Sequence, residues 1–598
     1  MGKPPGCRLF ALLYYESLKP FCIFPITRSH LRLPGDGQTT KLMDRREFLK
    51  TRRKKTAPAA IDSPRPFRTL SGVNTYTGPW TEQEIIHLLK RTMFGAKKAD
   101  INYFKTKTMA QAVDELLTPT APAPAVPVKE YVTSPNATNP DTNIVQGTTW
   151  VNDINSDGTV QSQRRGSYKK WLTGTMINQD RSIREKLIMF WTDHFGNETT
   201  DVGNANWMYM QHMLIRQYAL GNFKNLVRDI TKDVAMLRYL NGYLNNKNAP
   251  DENYARELLE LFTVGKGPGS QYTEADVKEA AKVLTGWQIN GTTYTSVFNV
   301  NRHTTTNKIF SAFFNNTVIT GRNTATAGDL ELADLLNMIF AQQEVAKFLV
   351  RKIYRWFVYY AIDGATEANV ITPLADIFRT NNYEIKPVLT ALFQSEHFYD
   401  LLNRGCMIKT PADQVVGSLR EMNVVFPALT DWDTNYGLWN TFYAWMNNMG
   451  QNLHDPPNVS GMPAYYQEPM FHEIWINSDS LPKRNQFTDI MFATGYVRNG
   501  QRVQFNCVEF AKTLSNPGNP NDLIGEALRI FFRNDLGVQT RAQIKTQILL
   551  TGQQWDYYWT NAWMAYEASP TTANFNTVNT RLKSLFQYFF NLSEYQLA

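Results

Sequence analysis

Glu252, Glu257, Glu260, Glu274, Asp276 and Glu279 crowd one stretch of this chain, between Asn241 and Trp287. Paired carboxylates in unlike environments act as general acid and general base, and glycoside cleavage uses two of them about 5 to 9.5 Å apart. Glu252, Glu257 and Asp276 are the candidates for such a pair. Glu257 is the central one, because it follows Arg256 directly and falls between an apolar stripe and a charged face. His194, beside Asp193 at the end of another helical run, is a fourth catalytic candidate. The same residues also have a purely structural reading. Glu252 and Arg256 make an i,i+4 pair, Asp276 caps a helix, Glu257 meets a buried arginine such as Arg184, and His194 complements a helix C-terminus.

Asp153, Asn155, Asp157 and Gly158 reproduce the first half of a calcium loop, in which alternate oxygens and a Gly at the sixth position wrap a hard cation. At the twelfth position, where a bidentate Glu is needed, stands Arg164. A calcium site therefore competes with an ordinary Asx-rich turn. His303, with Lys308 nearby, is a further metal-ligand candidate. A divalent cation is the one cofactor these residues offer.

Helices must position these groups. Pro250, Asp251 and Glu252 open a helix with proline and acids where the macrodipole favours them, and it runs to Gly265 on an apolar stripe of Leu258, Leu261 and Phe262. Gly265, Gly267 and Gly269 break it, Thr273 with Asp276 resembles a capping box, and a second helix runs to Gly286. Upstream, Thr81 with Glu84 starts a helix closed by Gly95, and another ends at Leu117. Residues 118–166 read as a long loop, Pro/Ala-rich and then Asn/Asp-rich. Trp171 to Phe195 reads as one helix, and 204–220 and 223–239 as two more with short links, hence antiparallel neighbours. Residues 288–328 alternate and suggest a small β-hairpin excursion, while 330–360, 373–399 and 411–422 return to helical spacing. A loop-rich segment with His454, Asp455 and His472 reaches to about residue 480, followed by helices with large aromatic faces. The expected fold class is mainly α, one large helical domain over 80–598 with long irregular loops.

Several runs carry a resemblance. ENYARELLELFTVG, YTEADV and LTGW occur with HLLKRTMFG from His87, REKLIMFWTDHF from Arg184, PPNVSG from Pro456, WINSDSLPKR from Trp475 and a terminal EYQLA. Together with His303 and Lys308 they resemble the signature of a large bacterial family catalogued as domain of unknown function 1800, over roughly residue 80 to the end. The resemblance implies an exported, mainly helical protein of unestablished activity. The family pattern favours an acid after the histidine of His303, where this chain has Thr304.

The net charge of +8 on 598 residues does not point to nucleic acid. Residues 1–57 carry 13 Lys/Arg against 4 Asp/Glu, which leaves 49 against 50 for the rest. A neutral body gives no reason to expect phosphate-backbone binding, which needs clustered cations. The basic N-terminal segment is expected to be disordered. Within it MDRREFLK, from Met43, looks like the start of a twin-arginine export signal, but Thr51, Arg52, Arg53, Lys54 and Lys55 stand where an apolar segment belongs. Export to the periplasm or beyond is the expectation, and the cytoplasm the alternative. No long apolar run supports a transmembrane helix. Cys406 and Cys507, isolated in the body, form one bridge or stay as two thiols.

Motifs for serine hydrolases, P-loop and dinucleotide sites, zincins and CxxC redox pairs are missing from the sequence. Two readings survive. One is a non-catalytic binding or assembly protein of the cell envelope, with Tyr, Trp and Asn-rich loops as its contact surface and a polysaccharide or another exported protein as partner. The other is a hydrolase acting on an extracellular polymer through the helix-borne carboxylates.

Overall fold

Capped helices dominate the chain because capping residues recur ahead of apolar 3.6-residue periods. The structure is a computed structural model and describes residues 69–598. The basic segment 1–57 and the MDRREFLK run lie outside the described residues. Among the described residues the fold is mainly α, with three small antiparallel hairpins.

Asp157 shortens the long loop that the sequence suggested. Its side chain accepts from Thr159 N and Val160 N and so starts the helix Gly158–Ile177, well before Trp171. The expected single helix from Trp171 to Phe195 is two, because Asn178 ends the first and the turn through Asp180 and Ser182 leads into Arg184–His194. Next come Ala205–Tyr218, capped by Asn204, and Phe223–Lys232, separated from Val234–Tyr239 by a new cap at Asp233. A larger correction falls in the segment read as loop before residue 480, which holds the helix Trp432–Asn448. Tyr436, Leu438, Trp439, Phe442 and Met446 bury its inner side. It packs on Gly158–Ile177, where Gly174 permits the approach, since a Cβ there would lie 2.8 Å from the Trp439 ring.

The acid-rich stretch forms the anticipated helix pair. Asn253–Glu257 continues as a π-helical segment, Leu258–Thr263, and stops at Gly265, which has φ +83° and whose Cβ would strike Phe348. Thr273 and Asp276 form a complete capping box for Glu274–Val283. The excursion contributes two hairpins, Trp287–Asn290 with Thr295–Phe298 and Lys308–Ile309 with Val318–Ile319. A third, Tyr496–Arg498 with Gln501–Val503, was not expected. The core is continuous across these elements and buries Trp150, Trp191, Trp559 and Trp563 completely. Cys406 and Cys507 are free thiols. Among the described residues no helix is long and apolar enough to cross a membrane.

Candidate functional site

The four catalytic candidates occupy different surroundings. Glu252 pairs with Arg256 at 2.9 Å, and the same guanidinium takes Glu274 through two bonds of 2.8 and 2.7 Å, which clamps the two helices together. Asp276 is buried. Its Oδ2 accepts from Thr273 N and Oγ1, and its Oδ1 accepts from Ser311 N at 2.7 Å, pinning the second hairpin of the excursion to the helix. Glu260 pairs with Lys266.

Glu257 differs from these acids. It is half-buried, and among the described residues it has no hydrogen-bond or ion-pair partner. Burial, and then the neighbouring Glu260, raise its pKa above the ordinary carboxylate range, while Lys266 and Arg256 counter in part. Arg184, the partner offered from the sequence, instead donates to Ala121 O and Pro119 O.

His194 sits in the aromatic core among Phe190, Trp191, Phe195, Phe223 and Phe262. Its Nε2 donates to Phe262 O at 3.1 Å, inside the π-helical segment, and its Nδ1 is buried without a partner. Burial holds its pKa well below the ordinary value, so the ring is neutral. No hydrogen bond or ion pair links any two of Glu252, Glu257, Asp276 and His194 among the described residues.

Around His194, three of the sequence runs meet. The PPNVSG loop lies against the end of Arg184–His194: a Cβ on Gly196 would lie 2.8 Å from Val459 O, and one on Gly461, at φ +93°, would lie 2.6 Å from Asp193 O. That close approach lets Met462 N donate to Asp193 Oδ1 at 2.6 Å. Asp193 Oδ2 has no partner among the described residues. Neither does the Lys352 ammonium, which lies over Phe348. Burial raises the Asp193 pKa to about 7 and lowers that of Lys352 to about 8, and the charge of each opposes the other's shift. Sequence spacing did not single out this pair, since its members come from distant helices. Behind it, Tyr168 lies 2.7 Å from His454 Nδ1, the His454 ring packs on His212, and Asp455 pairs with Lys169 and accepts from Thr199.

Asp153, Asn155 and Asp157 have their side-chain oxygens engaged with separate partners. Asp157 Oδ1 caps the helix and Oδ2 accepts from Thr138 N, Thr138 Oγ1 and Asn139 N; these bonds hold its pKa below the ordinary range. Asn155 Oδ1 accepts from Asp157 N. Arg164, at the twelfth position, pairs with Asp153 and with Asp141, so a guanidinium stands where a calcium loop would hold its cation. His303 is also enclosed. Its Nδ1 donates to Thr285 O at 2.8 Å and its Nε2 lies 3.2 Å from Glu331, which pairs with Lys308. All three side chains are completely buried. Among the described residues no three His, Cys, Asp or Glu side chains form a group able to hold a metal ion.

What the surface offers is aromatic. The helix Tyr557–Ala568 buries Trp559, Trp563 and Tyr566 and turns Tyr557, Asn561 and Met564 outward. Trp555 is 66% exposed just before it, and the Tyr557 and Tyr558 rings stack at 4.4 Å. Gln553 and Gln554 are exposed beside them. Asp556 is neutralised by Lys545 at 2.8 Å and accepts from Asn521. The strip thus combines exposed ring faces and amides with no unpaired charge between Gln553 and Met564. The GQQWDYYW composition was legible in the sequence, but which of its rings face outward was not.

The family model described as Protein of unknown function (DUF1800) matches residues 87–597. No curated protein and no solved structure matches the chain.

Proposed function

For a chain that belongs to the DUF1800 family of proteins of unknown function, we propose a non-catalytic binding protein of the cell envelope whose partner is an uncharged polysaccharide. The observation that carries this reading is the exposed strip of Trp555, Tyr557 and Tyr558 flanked by Gln553, Gln554 and Asn561. Exposed, contiguous apolar rings mark binding surfaces. Sugar rings present C–H faces that lie on aromatic planes and hydroxyls that pair with amides, which both donate and accept. Within residues 553–564 the one charged side chain, Asp556, is paired with Lys545, which favours an uncharged polymer, and the Arg581 guanidinium, which donates to Tyr558 O, borders the rings. The enclosure of Asp276, His303 and the Asp153–Asp157 turn, and the Glu252–Arg256–Glu274 clamp, support a scaffold role for most of the polar residues. The MDRREFLK run supports export.

The test is retention of the full chain on insoluble neutral glucan and chitin. Wild type is retained, and Trp555→Ala with Tyr558→Ala loses retention while its melting temperature holds, because both rings are exposed. Absence of retention, or retention unchanged in the double variant, overturns the reading.

A second reading, a hydrolase acting on an extracellular polymer, is supported by one observation. Asp193 Oδ2 and the Lys352 ammonium make no hydrogen bond or ion pair within 4 Å among the described residues, and burial moves both toward neutrality in pKa, the range that suits general acid–base groups.

A further inference from the structure

A groove of about 880 Å³ opens between the Pro/Ala-rich segment that follows Leu117 and the outer face of the helix Ala205–Tyr218. Such a volume lies within the roughly 300–1,000 Å³ of small-molecule sites. One wall is fixed by polar ties: Trp171 Nε1 donates to Ala125 O at 2.6 Å, and Arg184 donates to Pro119 O and Ala121 O at 3.0 Å each. The other wall is apolar and adaptable, made of Met210, Met213, Leu214 and Leu220. Methionine thioethers fit irregular aliphatic ligands because the side chain is unbranched and polarisable.

Two cations line this groove, and they differ in charge balance. Arg216 pairs with Glu185 at 2.7 Å and is neutralised. Arg184 is held by neutral carbonyls and has no carboxylate within 4 Å among the described residues. The acids close to it in sequence are engaged elsewhere, Glu185 with Arg216 and Asp180 with Ser182 Oγ. A guanidinium oriented by carbonyls keeps its full charge and offers its remaining donors to an anion.

We infer that this groove binds a single-chain fatty acid, with the carboxylate at Arg184 and the aliphatic tail along Met210, Met213 and Leu214. The site is separate from the aromatic strip and does not depend on the polysaccharide reading. Charge complementarity at Arg184 selects the head group, and the methionine and leucine lining selects an aliphatic tail.

The experiment is a fluorescence titration of the full chain with dansyl-undecanoate below its micelle concentration, followed by competition with dodecanoate, dodecanol and dodecyltrimethylammonium. The expected result is saturable binding displaced by dodecanoate more strongly than by dodecanol, and not by the ammonium. Arg184→Gln should weaken dodecanoate roughly ten- to a hundredfold, the value of a charge-assisted hydrogen bond, and leave dodecanol unchanged. Met213→Glu, which leaves Arg184 and its wall intact, should abolish probe binding by placing a carboxylate against the tail. Unsaturable binding, equal displacement by the ammonium, or wild-type binding in Met213→Glu overturns the site. An equal loss of dodecanoate and dodecanol in Arg184→Gln overturns the head-group assignment, since it would show that Arg184 only holds the wall.

Discussion

Glu257→Gln separates the structural and chemical accounts of the central acid. Were the carboxylate paired with a buried arginine, removing its charge would leave that cation uncompensated and cost about 3–5 kcal/mol. No such cation is present among the described residues, and Arg184 is tied to two backbone carbonyls. Burial and Glu260 instead raise its pKa, so ionised Glu257 is disfavoured by the fold. The amide relieves that penalty, so the variant gains stability at neutral pH, by an amount reduced by solvent screening of a half-exposed group. The sign can be checked against pH. A carboxyl whose folded pKa lies above its unfolded value contributes stability below the unfolded value, and that contribution disappears as pH rises through the folded value. Wild type and variant should therefore coincide near about pH 4 and separate above it, with the variant the more stable. Denaturant midpoints followed by tryptophan fluorescence across this range measure the difference. A loss of about 3 kcal/mol or more at neutral pH would refute the reasoning and show that a cation depends on Glu257.

Other substitutions test the buried polar ties and the acid response. Glu331→Gln leaves Lys308 without its carboxylate in a fully buried site, and should cost about 3–5 kcal/mol in chemical denaturation, part of which returns on adding Lys308→Met. Stability should also decline as pH falls below about 6.5, because unfolded histidines take up protons there. Burial holds His454 and His472 down to about 3 in the fold. The sign follows from linkage: the unfolded state binds protons that the folded state refuses, so each such residue costs up to about 1.4 kcal/mol per pH unit. His472→Gln keeps an acceptor for Ile408 N, which donates to His472 Nδ1 at 3.2 Å, and should flatten the acid slope of the midpoints by about one residue's share.

Local chemistry was legible wherever one residue and its near neighbours decide the outcome. The Thr81–Glu84 and Thr273–Asp276 capping boxes and the break at Gly265 follow from backbone donors and left-handed φ alone, and they stand as read. The helix Trp432–Asn448 was not legible, because Asn435, Gly437, Asn440, Asn447 and Asn448 interrupt an apolar period that only tertiary packing completes. Asn435 there is buried and donates to Pro427 O, Ala428 O and Asp431 O, a cap for a loop that the sequence does not announce. Arg164 illustrates the same limit at a site. Its position in the loop count was plain, but that its guanidinium reaches back to Asp153 and Asp141 depends on how the Pro/Ala and Asn/Asp segments fold over the helix. Asp193 and Lys352 needed the PPNVSG loop in place before either looked unusual.

The buried ionic groups and the exposed rings have a common physical cause. Residues 288–328 are rich in Thr and Asn and 128–157 in Thr, Asn and Asp, so a large share of their side chains brings no hydrophobic gain on burial. Segments of that composition are fixed to a helical core by hydrogen bonds and ion pairs, because a buried polar group left without a partner is costly. Asp276 to Ser311, His303 to Thr285, Lys308 to Glu331, Arg164 to Asp141 and Asp157 to Thr138 and Asn139 are those fixings. A carboxylate in such a position, as at Asp276 and Glu331, has its oxygens engaged in attachment. The helix Tyr557–Ala568 presents the converse case. It already buries Trp559, Trp563 and Tyr566, while Trp555, Tyr557 and Tyr558 remain exposed beside them, and exposed aromatic rings outside the core are the feature on which the proposed binding role rests.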